Sequence, residues 1–344
     1  MVRALERAHE IGANAIQVFA DNPTAWHRRE LPPKEAPAFR RGLGELGIGP
    51  VAIHAPYLVN LAGPDEDFFA RSVAVLAHEL TVAPAFGARF VNVHVGSHRG
   101  SGLEAGTARV AEGIDLVLTM ADAKEAKAPG AGAPQETAAL PGVTGTSSAD
   151  MSAATPGPPL LVLENSAGGG FGIGATVEEL GSILDATAAR GVDVTRVAFC
   201  LDTAHAWGAG YRLSEPDGVD RLLDEFDRRI GLDRLVMVHL NDSKAACGVN
   251  ADRHEHIGAG QIGERGLGRI LSHPGLAHAA YFLETPGMDE GYDAVNVARA
   301  LALARGERLP PLPDEARRVR GSRARTGPAA APEEERRDET AAPG

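Results

Sequence analysis

VAFCLD (197–202) is an apolar run of strand length that ends on an acidic residue, and five other runs repeat this form. They are VAIH (51–54), FVNVH (90–94), LLVLE (160–164), LVMVH (235–239) and YFLE (281–284), which end on His54, His94, Glu164, His239 and Glu284. Each run is rich in β-branched, Leu or Phe residues, which favours buried strands. Parallel strands of a closed barrel end at one face, where barrel enzymes build their sites. The runs therefore predict a barrel with six metal ligands around one mouth.

Helical segments separate these runs. The first predicted strand, NAIQVF (14–19), follows an opening helix, and further helices are expected at 33–47, 64–86, 103–122, 176–190, 215–230, 263–272 and 290–304. This alternation indicates a parallel sheet with crossover helices. Seven predicted strands are one short of the eight in a (β/α)8 TIM barrel. We expect an α/β fold of this class with its first strand missing, through truncation, a late start codon or a barrel that is open at this point.

Two segments fall outside the alternation. Residues 124–158 are rich in Ala, Pro, Gly, Ser and Thr and have no periodicity, which predicts a disordered insertion in a catalytic domain spanning 1–305. Residues 306–344 predict a disordered charged tail, in which an arginine cluster precedes EEERRDE. The tail is either a tether to nucleic acid or a solvated segment with no fixed partner.

Composition narrows the class of protein. The 344 residues are 44% hydrophobic and have no apolar run as long as a membrane span, and the N-terminus has no signal-peptide pattern. Two cysteines, Cys200 and Cys247, form no disulfide framework and suit a reducing cytosol, so we expect a cytoplasmic chain. We expect Cys200 to be a buried residue of a strand. A net charge of -12 is unusual for a nucleic-acid binder, although bound divalent cations would change the charge at the site.

Three more candidate ligands lie in predicted loops after the strand ends. In DTAH, His205 lies three residues after Asp202, and DRHEH places Asp252 and His254 in the predicted loop after His239. Imidazole and carboxylate together suit Zn²⁺, and a carboxylate can bridge two ions. With the six strand ends the set reaches nine side chains, which is too many for one zinc ion and about right for three.

Seven motifs in order carry a resemblance to a known family. They are HAPYLVNLA (54–62), NVHVGSH (92–98), LENSAGGG (163–170), CLDTAHAWGAGY (200–211), HLNDSK (239–244), DRHEHIGAGQIG (252–263) and FLETP (282–286). Together they closely resemble the signatures of the endonuclease IV family of apurinic/apyrimidinic (AP) endonucleases. The resemblance covers about residues 1–305 and implies a (β/α)8 barrel that acts in base-excision DNA repair.

The resemblance also implies a reaction and a ligand assignment. It implies hydrolysis of the phosphodiester 5′ to an abasic site in duplex DNA, which leaves a 3′-hydroxyl, by hydroxide activated in a trinuclear zinc site. The chain is expected to act as a monomer and to have no membrane partner. Glu164 is the implied bridging ligand, and Glu284 binds metal and orients the attacking water. The first zinc falls to His54, His94 and Glu164, the second to Glu164, Asp202, His239 and Glu284, and the third to His205, Asp252 and His254.

Four other residues are candidate DNA contacts. The tyrosine that matches Tyr57 in the family lies at the DNA surface, although Tyr57 is equally interpretable as a packed rim aromatic. His98 is expected either to contact phosphate or to hold His94 through a hydrogen bond. Asn241 and Lys244 are expected to touch phosphate, or else to be a helix cap and a solvated lysine.

The chain departs from the family pattern in two places. The usual opening strand is absent, and the loop ADNPTAW (20–26) has Asp21 and Thr24 where familiar members carry basic residues. Losing a cation near phosphates weakens backbone binding. The alternative function is a xylose-isomerase-like sugar isomerase or epimerase with one divalent ion, which would need only Glu164, Asp202, His239 and Glu284.

Overall fold

The computed structural model of the chain describes residues 1–126 and 157–319. Most of the predicted insertion, and the predicted tail beyond residue 319, lie outside these described residues. No helix among the described residues is both long and apolar enough to cross a bilayer.

A parallel sheet of seven strands forms the centre of the described part of the chain. The strands follow chain order and are β1 (Ile16–Val18), β2 (Val51–His54), β3 (Ala88–His94), β4 (Leu160–Glu164), β5 (Val197–Asp202), β6 (Leu235–His239) and β9 (Ala280–Phe282). A two-stranded antiparallel ribbon, β7 (Asp242–Ser243) with β8 (His254–Glu255), lies between β6 and β9 in the chain.

Helices connect the strands, as the alternation predicts. They are α1 (Val2–Glu10), α2 (Ala36–Leu46), α3 (Glu66–Phe86), α4 (Leu103–Glu125), α5 (Val177–Ala189), α6 (Thr203–Ala209), α7 (Pro216–Arg229), α8 (Gly263–Ser272) and α9 (Asp293–Ala304). Local chemistry sets their ends. The Asp65 side chain caps α3 by accepting from Phe68 N, and Thr176 caps α5 in the same way. α3 ends at Gly87, whose φ of 66° is left-handed.

Side-chain alternation along the strands separates two cores. Residues that face the helices join a large cluster with them, whereas a smaller cluster fills the barrel. Its buried members are Ala52, Phe90, Val162, Ala198, Cys200, Met237, Ala280 and Phe282. Most of the strand-end ligands come two residues after a member of this smaller cluster. Because side chains alternate along a strand, these ligands also point into the barrel, where they form the layer nearest its carboxyl-terminal mouth. The buried Cys200 belongs to this interior, as its sequence context predicts.

The barrel has a gap between β1 and β9. Among the described residues, β1 pairs only with β2 and β9 only with β6. This is the arrangement of a (β/α)8 barrel with one strand missing, as the strand count predicts. Gln17 crosses the gap, since its side chain bonds to both Glu284 and His239.

Two predicted loop positions are regular structure. His205 lies in α6, because the Asp202 side chain accepts from His205 N and caps a helix that starts directly after β5. His254 lies in β8, paired with Ser243. The loop assignment was therefore wrong for both residues, and only Asp252 is in a loop.

The first part of the predicted tail packs on the barrel. Ala316 and Leu312 are buried, and Ala316 O lies 3.0 Å from His256 Nε2. Arg299 of α9 donates to Pro310 O. The packed chain therefore extends past residue 305 to at least residue 319, which the composition of this segment did not reveal.

Candidate metal centre

All nine predicted ligands converge on the carboxyl-terminal mouth of the barrel. Sheet register sets several of them side by side, since His94 pairs with Glu164 and Asp202 pairs with His239 in neighbouring strands. Glu284 comes two residues after β9 rather than at its last position. Eight of the nine belong to groups of three or four side chains whose ligand atoms lie within 4.8 Å of one another, and Asp252 adjoins one of these groups through His205 and His254.

Glu164 lies at the centre of the cluster and is fully buried. Its Oε2 is 3.7 Å from His54 Nε2 and 3.9 Å from His94 Nε2. Its Oε1 faces the other side, 3.3 Å from His239 Nδ1. One carboxylate thus contacts two ligand groups, which is the geometry that a bridging ligand requires.

The second group surrounds His239. Its Nδ1 lies 3.4 Å from Glu284 Oε2 and 3.9 Å from Asp202 Oδ2, in addition to its approach to Glu164. The third group surrounds Asp252, whose carboxylate is 3.4 Å from His205 Nε2 and 3.0 Å from His254 Nε2. His254 Nε2 is also 3.5 Å from Asp202 Oδ2, so Asp202 lies between the second and third groups.

Hydrogen bonds to the far side of each ring select the nitrogen that faces the cluster. His54 Nδ1 donates to Ala55 O at 2.7 Å, and His254 Nδ1 donates to Glu284 O at 2.8 Å. His205 Nδ1 lies 2.9 Å from Asn165 O and 3.2 Å from Glu164 Oε1. A carbonyl only accepts, so each of these Nδ1 atoms carries a proton, and each Nε2 faces the cluster, where it can bind a metal once it holds no proton of its own. In His239 the roles reverse, because Nε2 donates to Gln17 Oε1.

The donor set fits metal ions. Glu164 Oε1, His239 Nδ1 and His254 Nε2 are buried, face the cluster and make no hydrogen bond of suitable angle among the described residues, although His254 Nε2 lies 3.0 Å from Asp252 Oδ1. Buried polar atoms without partners are costly, and a cation would satisfy them. Five imidazoles and four carboxylates are ligands that suit zinc. Cys200 also lies near Glu164 and His239, but burial raises the pKa of its thiol to about 11, which disfavours the thiolate as a ligand.

Charge coupling keeps the Glu164 carboxylate ionised. Burial raises the pKa of Glu164, but His94 and His239 outweigh this and hold it well below its usual range. Burial likewise opposes protonation of His254, yet Asp202 and Asp252 raise its pKa to about 9. In the metal-free cluster, protons on imidazoles therefore balance the carboxylates. Binding of cations at this site must displace such protons.

A shell of amide side chains, which the sequence did not suggest, positions the ligands. Asn92 donates to Glu164 Oε2 at 2.6 Å, and Gln17 donates to Glu284 Oε1 at 2.8 Å. The Asn165 side chain bonds to both the backbone N and O of Asp202. One signal was present in the sequence, since Asn92 precedes His94 by two residues and must face the same side of its strand.

Asn241 belongs to this shell and not to a DNA surface. It is buried, donates to Asp202 Oδ2 at 2.7 Å and accepts from Glu284 N at 2.8 Å. A side chain with both ends used inside the cluster is not positioned for the predicted phosphate contact. Lys244 directly follows β7 and is partly exposed, with its Nζ 3.8 Å from Glu255 Oε2.

The other two predicted DNA contacts are at the rim. The Tyr57 side chain is 64% exposed, and its ring packs edge-on against Phe19 at 5.5 Å and lies 5.9 Å from His54. His98 Nδ1 accepts from Gly100 N and Gly102 N. These bonds hold His98 in its own loop, and its ring lies beside the exposed Phe171 rather than bonding to His94.

The loop after β1 neutralises the acidic residue that departs from the family pattern. Asp21 Oδ2 accepts from Arg29 N at 2.9 Å and lies 3.2 Å from Arg29 Nε. Partial burial opposes ionisation of Asp21, but these bonds outweigh it and lower the pKa of the carboxyl. The Asp21 carboxylate therefore meets a guanidinium within its own loop.

Fold and site together define a TIM barrel with a candidate metal centre of several ligands at its mouth. Residues 5–306 match the family model described as "Xylose isomerase-like TIM barrel". A D-tagatose 3-epimerase-like protein has a TM-score of 0.60 over 89% of this chain and 95% of its own. It is only 15% identical, so this likeness shows the fold alone.

Nearer relatives are nucleases. "Probable endonuclease 4" of Methanoculleus marisnigri is 39% identical over 303 residues, which cover 88% of this chain and 94% of the relative. The protein of the same name from Halothermothrix orenii is 35% identical over 302 residues, 87% of this chain and 95% of its own. The crystal structure of endonuclease IV from Thermus thermophilus is 35% identical, with a TM-score of 0.67 over 88% of this chain and 92% of that chain. The chain belongs to the endonuclease IV family and is a nuclease of the hydrolase class, which confirms the resemblance carried by its motifs.

Proposed function

We propose that this chain is a zinc-dependent AP endonuclease of base-excision repair that hydrolyses the phosphodiester 5′ to an abasic site in duplex DNA. The observation that carries the proposal is the convergence of the nine predicted ligands with three unpartnered buried atoms among them. A one-metal sugar isomerase has no use for His54, His94 and Asp252 in the same cluster. Their presence favours the nuclease.

Three ligand sets would hold zinc. The first is His54, His94 and Glu164, the second is Glu164, Asp202, His239 and Glu284, and the third is His205, Asp252 and His254. Bound zinc supplies Lewis-acid stabilisation of charge on phosphate oxygens and lowers the pKa of water toward neutrality. The reaction forms a bond from water oxygen to phosphorus and breaks the bond from phosphorus to the 3′-oxygen, which takes a proton and leaves as the 3′-hydroxyl.

Within the second ligand set, Glu284 is the carboxylate best placed to handle the water. Its side chain is 29% exposed, whereas Glu164 and Asp202 are fully buried. Gln17 holds Oε1, which leaves Oε2 directed at the cluster. Glu284 therefore orients the water and accepts its proton while Glu164 holds the two sides of the cluster together.

The rim supplies the DNA surface. Tyr57 and Phe19 form an exposed aromatic pair beside His54, and aromatic faces stack on unpaired bases. An abasic site leaves its opposite base without a partner. We therefore assign contact with the lesion to Tyr57, and contact with flanking phosphates to His98 and Lys244 at the rim.

Metal content and cleavage test this proposal. Elemental analysis of the purified chain should find about three zinc ions per chain. The zinc-loaded chain should cut a duplex with a tetrahydrofuran abasic analogue without added magnesium and leave a 3′-hydroxyl that a polymerase extends. Glu164→Ala should abolish cleavage and lower the zinc content, while Glu45→Ala, at an exposed position on α2, should change neither. A single bound ion with epimerase activity on ketoses and no cleavage would overturn the proposal.

A further inference from the structure

A second polar cavity lies outside the metal centre. It is an open cleft with a volume of about 560 Å³, lined by the loop before α8 and the start of α8, by α9, by the segment 308–312 and by Arg317. None of the nine predicted ligands lines it. A cavity of this size holds a small molecule and is larger than a single ion needs.

Three arginines line this cavity. They are Arg299, Arg308 and Arg317, and the only carboxylate on the wall is Glu264. Within residues 1–126 and 157–319, none of the three guanidinium groups has a carboxylate within 4.0 Å. The cavity is therefore strongly basic in a chain whose net charge is -12.

Arg299 is built into the wall. It is only 6% exposed, and its Nε and one terminal nitrogen donate to Ile257 O and Pro310 O. Its other terminal nitrogen, Nη2, makes no hydrogen bond with the described residues and lies beside Gly258. Gly258 is left-handed at φ 70°, and a Cβ there would approach Leu309 Cδ1 to 2.6 Å. The loop can approach the segment this closely only with glycine at 258, and both Gly258 and Arg299 line the cavity.

Apolar residues line part of the cavity beside the arginines. They are the consecutive residues Leu309, Pro310, Pro311 and Leu312, and Arg299 donates to Pro310 O. Guanidinium groups bind phosphate through paired N–H donors, and flat apolar surfaces pack on rings. Basic and apolar walls in one cavity suit a ligand with a phosphate at one end and a ring at the other.

We propose that this cavity binds the phosphate of a ligand the size of a nucleoside monophosphate, at a site distinct from the metal centre. Arg299 and Arg317 contact the phosphate, Arg308 closes over it, and the Leu309–Leu312 strip packs on the ring. Glu264 is the available acceptor for hydroxyl or amino groups of the ligand. The phosphate comes either from a free nucleotide or from the end of a DNA strand.

Calorimetric titration of the zinc-loaded full chain with AMP tests the site. Arg317→Gln should weaken AMP binding at least about tenfold, and Arg308→Gln with Arg317→Gln should abolish saturable binding up to about 10 mM. Arg318→Gln is the matched control, because Arg318 lies in the same turn but does not line the cavity, and its affinity should stay within about twofold of the parent. Inorganic phosphate should compete with AMP.

Two further arms locate the site and its natural source of phosphate. Glu164→Ala should retain AMP binding, since Glu164 belongs to the other site. Displacement of AMP by a duplex with a 5′-phosphate, but not by its dephosphorylated form, would support the cavity and identify a strand end as the ligand. Displacement of AMP by free nucleotides, but by neither duplex, would also support binding in the cavity and would identify free nucleotides as the ligand. Absence of saturable AMP binding, or binding that Glu164→Ala removes and the arginine substitutions leave intact, would overturn the proposal.

Discussion

Gln17 offers the sharpest test of how the metal centre is held together. Its Oε1 accepts from His239 Nε2 at 3.0 Å, and its Nε2 donates to Glu284 Oε1 at 2.8 Å. The first bond directs His239 Nδ1 at the cluster, and the second orients the Glu284 carboxylate. Gln17→Leu removes both bonds while keeping a side chain of similar length on β1.

The expected cost follows from those two bonds. A hydrogen bond to a charged group contributes about 1.5–3 kcal/mol and a neutral one about 1 kcal/mol. Glu284 is partly exposed, so in the variant water replaces part of the hydrogen bond that Gln17 makes to this carboxylate. A net loss of about 2 kcal/mol, roughly thirtyfold, remains, which agrees with the 10–100-fold effects typical of residues that orient metal ligands.

Zinc affinity measured by competition with a chelator is the readout. Gln17→Leu should weaken one class of zinc site roughly thirtyfold and lower cleavage at limiting zinc, with activity recovering as zinc is added. Gln261→Leu, an exposed position, is the control for the substitution itself. A Gln17→Leu chain that binds zinc and cleaves DNA like the parent would show that the ligands need no support from β1.

Three other substitutions test stability and DNA contact. Burial raises the pKa of Glu79 to about 7 in spite of Arg28, whose Nε lies 3.8 Å away. Because the pKa of this carboxyl is higher in the folded chain, its protonated form stabilises the fold at about pH 4.5, and this contribution is lost as the pH rises to 7. The parent chain should therefore lose about 3 kcal/mol of unfolding free energy between these two pH values through Glu79, and Glu79→Gln should not show this loss. Denaturant titrations of both chains across this range should give parallel curves only if Glu79 does not titrate. Tyr57→Ala should weaken binding of abasic duplex by about 1–3 kcal/mol in fluorescence anisotropy with no change in zinc content, and an equal affinity would remove Tyr57 from the DNA surface. Phe39→Ala, at a fully buried position, should lower the unfolding free energy by about 3–5 kcal/mol in urea titrations, and a loss under 1 kcal/mol would mean that the α2 packing is dispensable.

The barrel and its ligands were predictable because they depend on local patterns. Runs such as VAFCLD carry strand propensity, and the last residue of each run faces the barrel interior by alternation alone. His54 and Asp202 could therefore be placed at one mouth from the sequence. The packing of 306–319 could not, because charged and Pro-rich residues predict solvation, whereas this segment is held by contacts with the distant residues His256 and Arg299 and buries Ala316 and Leu312.

Amide side chains were harder to place, because nothing in their own neighbourhood distinguishes a ligand support from a surface residue. Asn241 follows His239 in a motif that suits phosphate contact equally well. Its burial depends on where Asp202 and Glu284 arrive from other strands. The contacts join residues 39 to 43 positions apart, so they belong to the tertiary fold and not to the motif.

Asp202 shows why one spacing within the site was nevertheless informative. Its Oδ1 accepts from His205 N and starts α6, while its Oδ2 faces His239 and His254. A cap of this kind reaches the backbone N–H three residues ahead, so the spacing in DTAH is that of a helix start. The same three-residue step that begins α6 brings His205 to the edge of the cluster, with its Nε2 3.4 Å from Asp252. His205 thus comes three positions after Asp202 because Asp202 caps the helix that contains His205. A change in this spacing would disturb both the helix and the third ligand group.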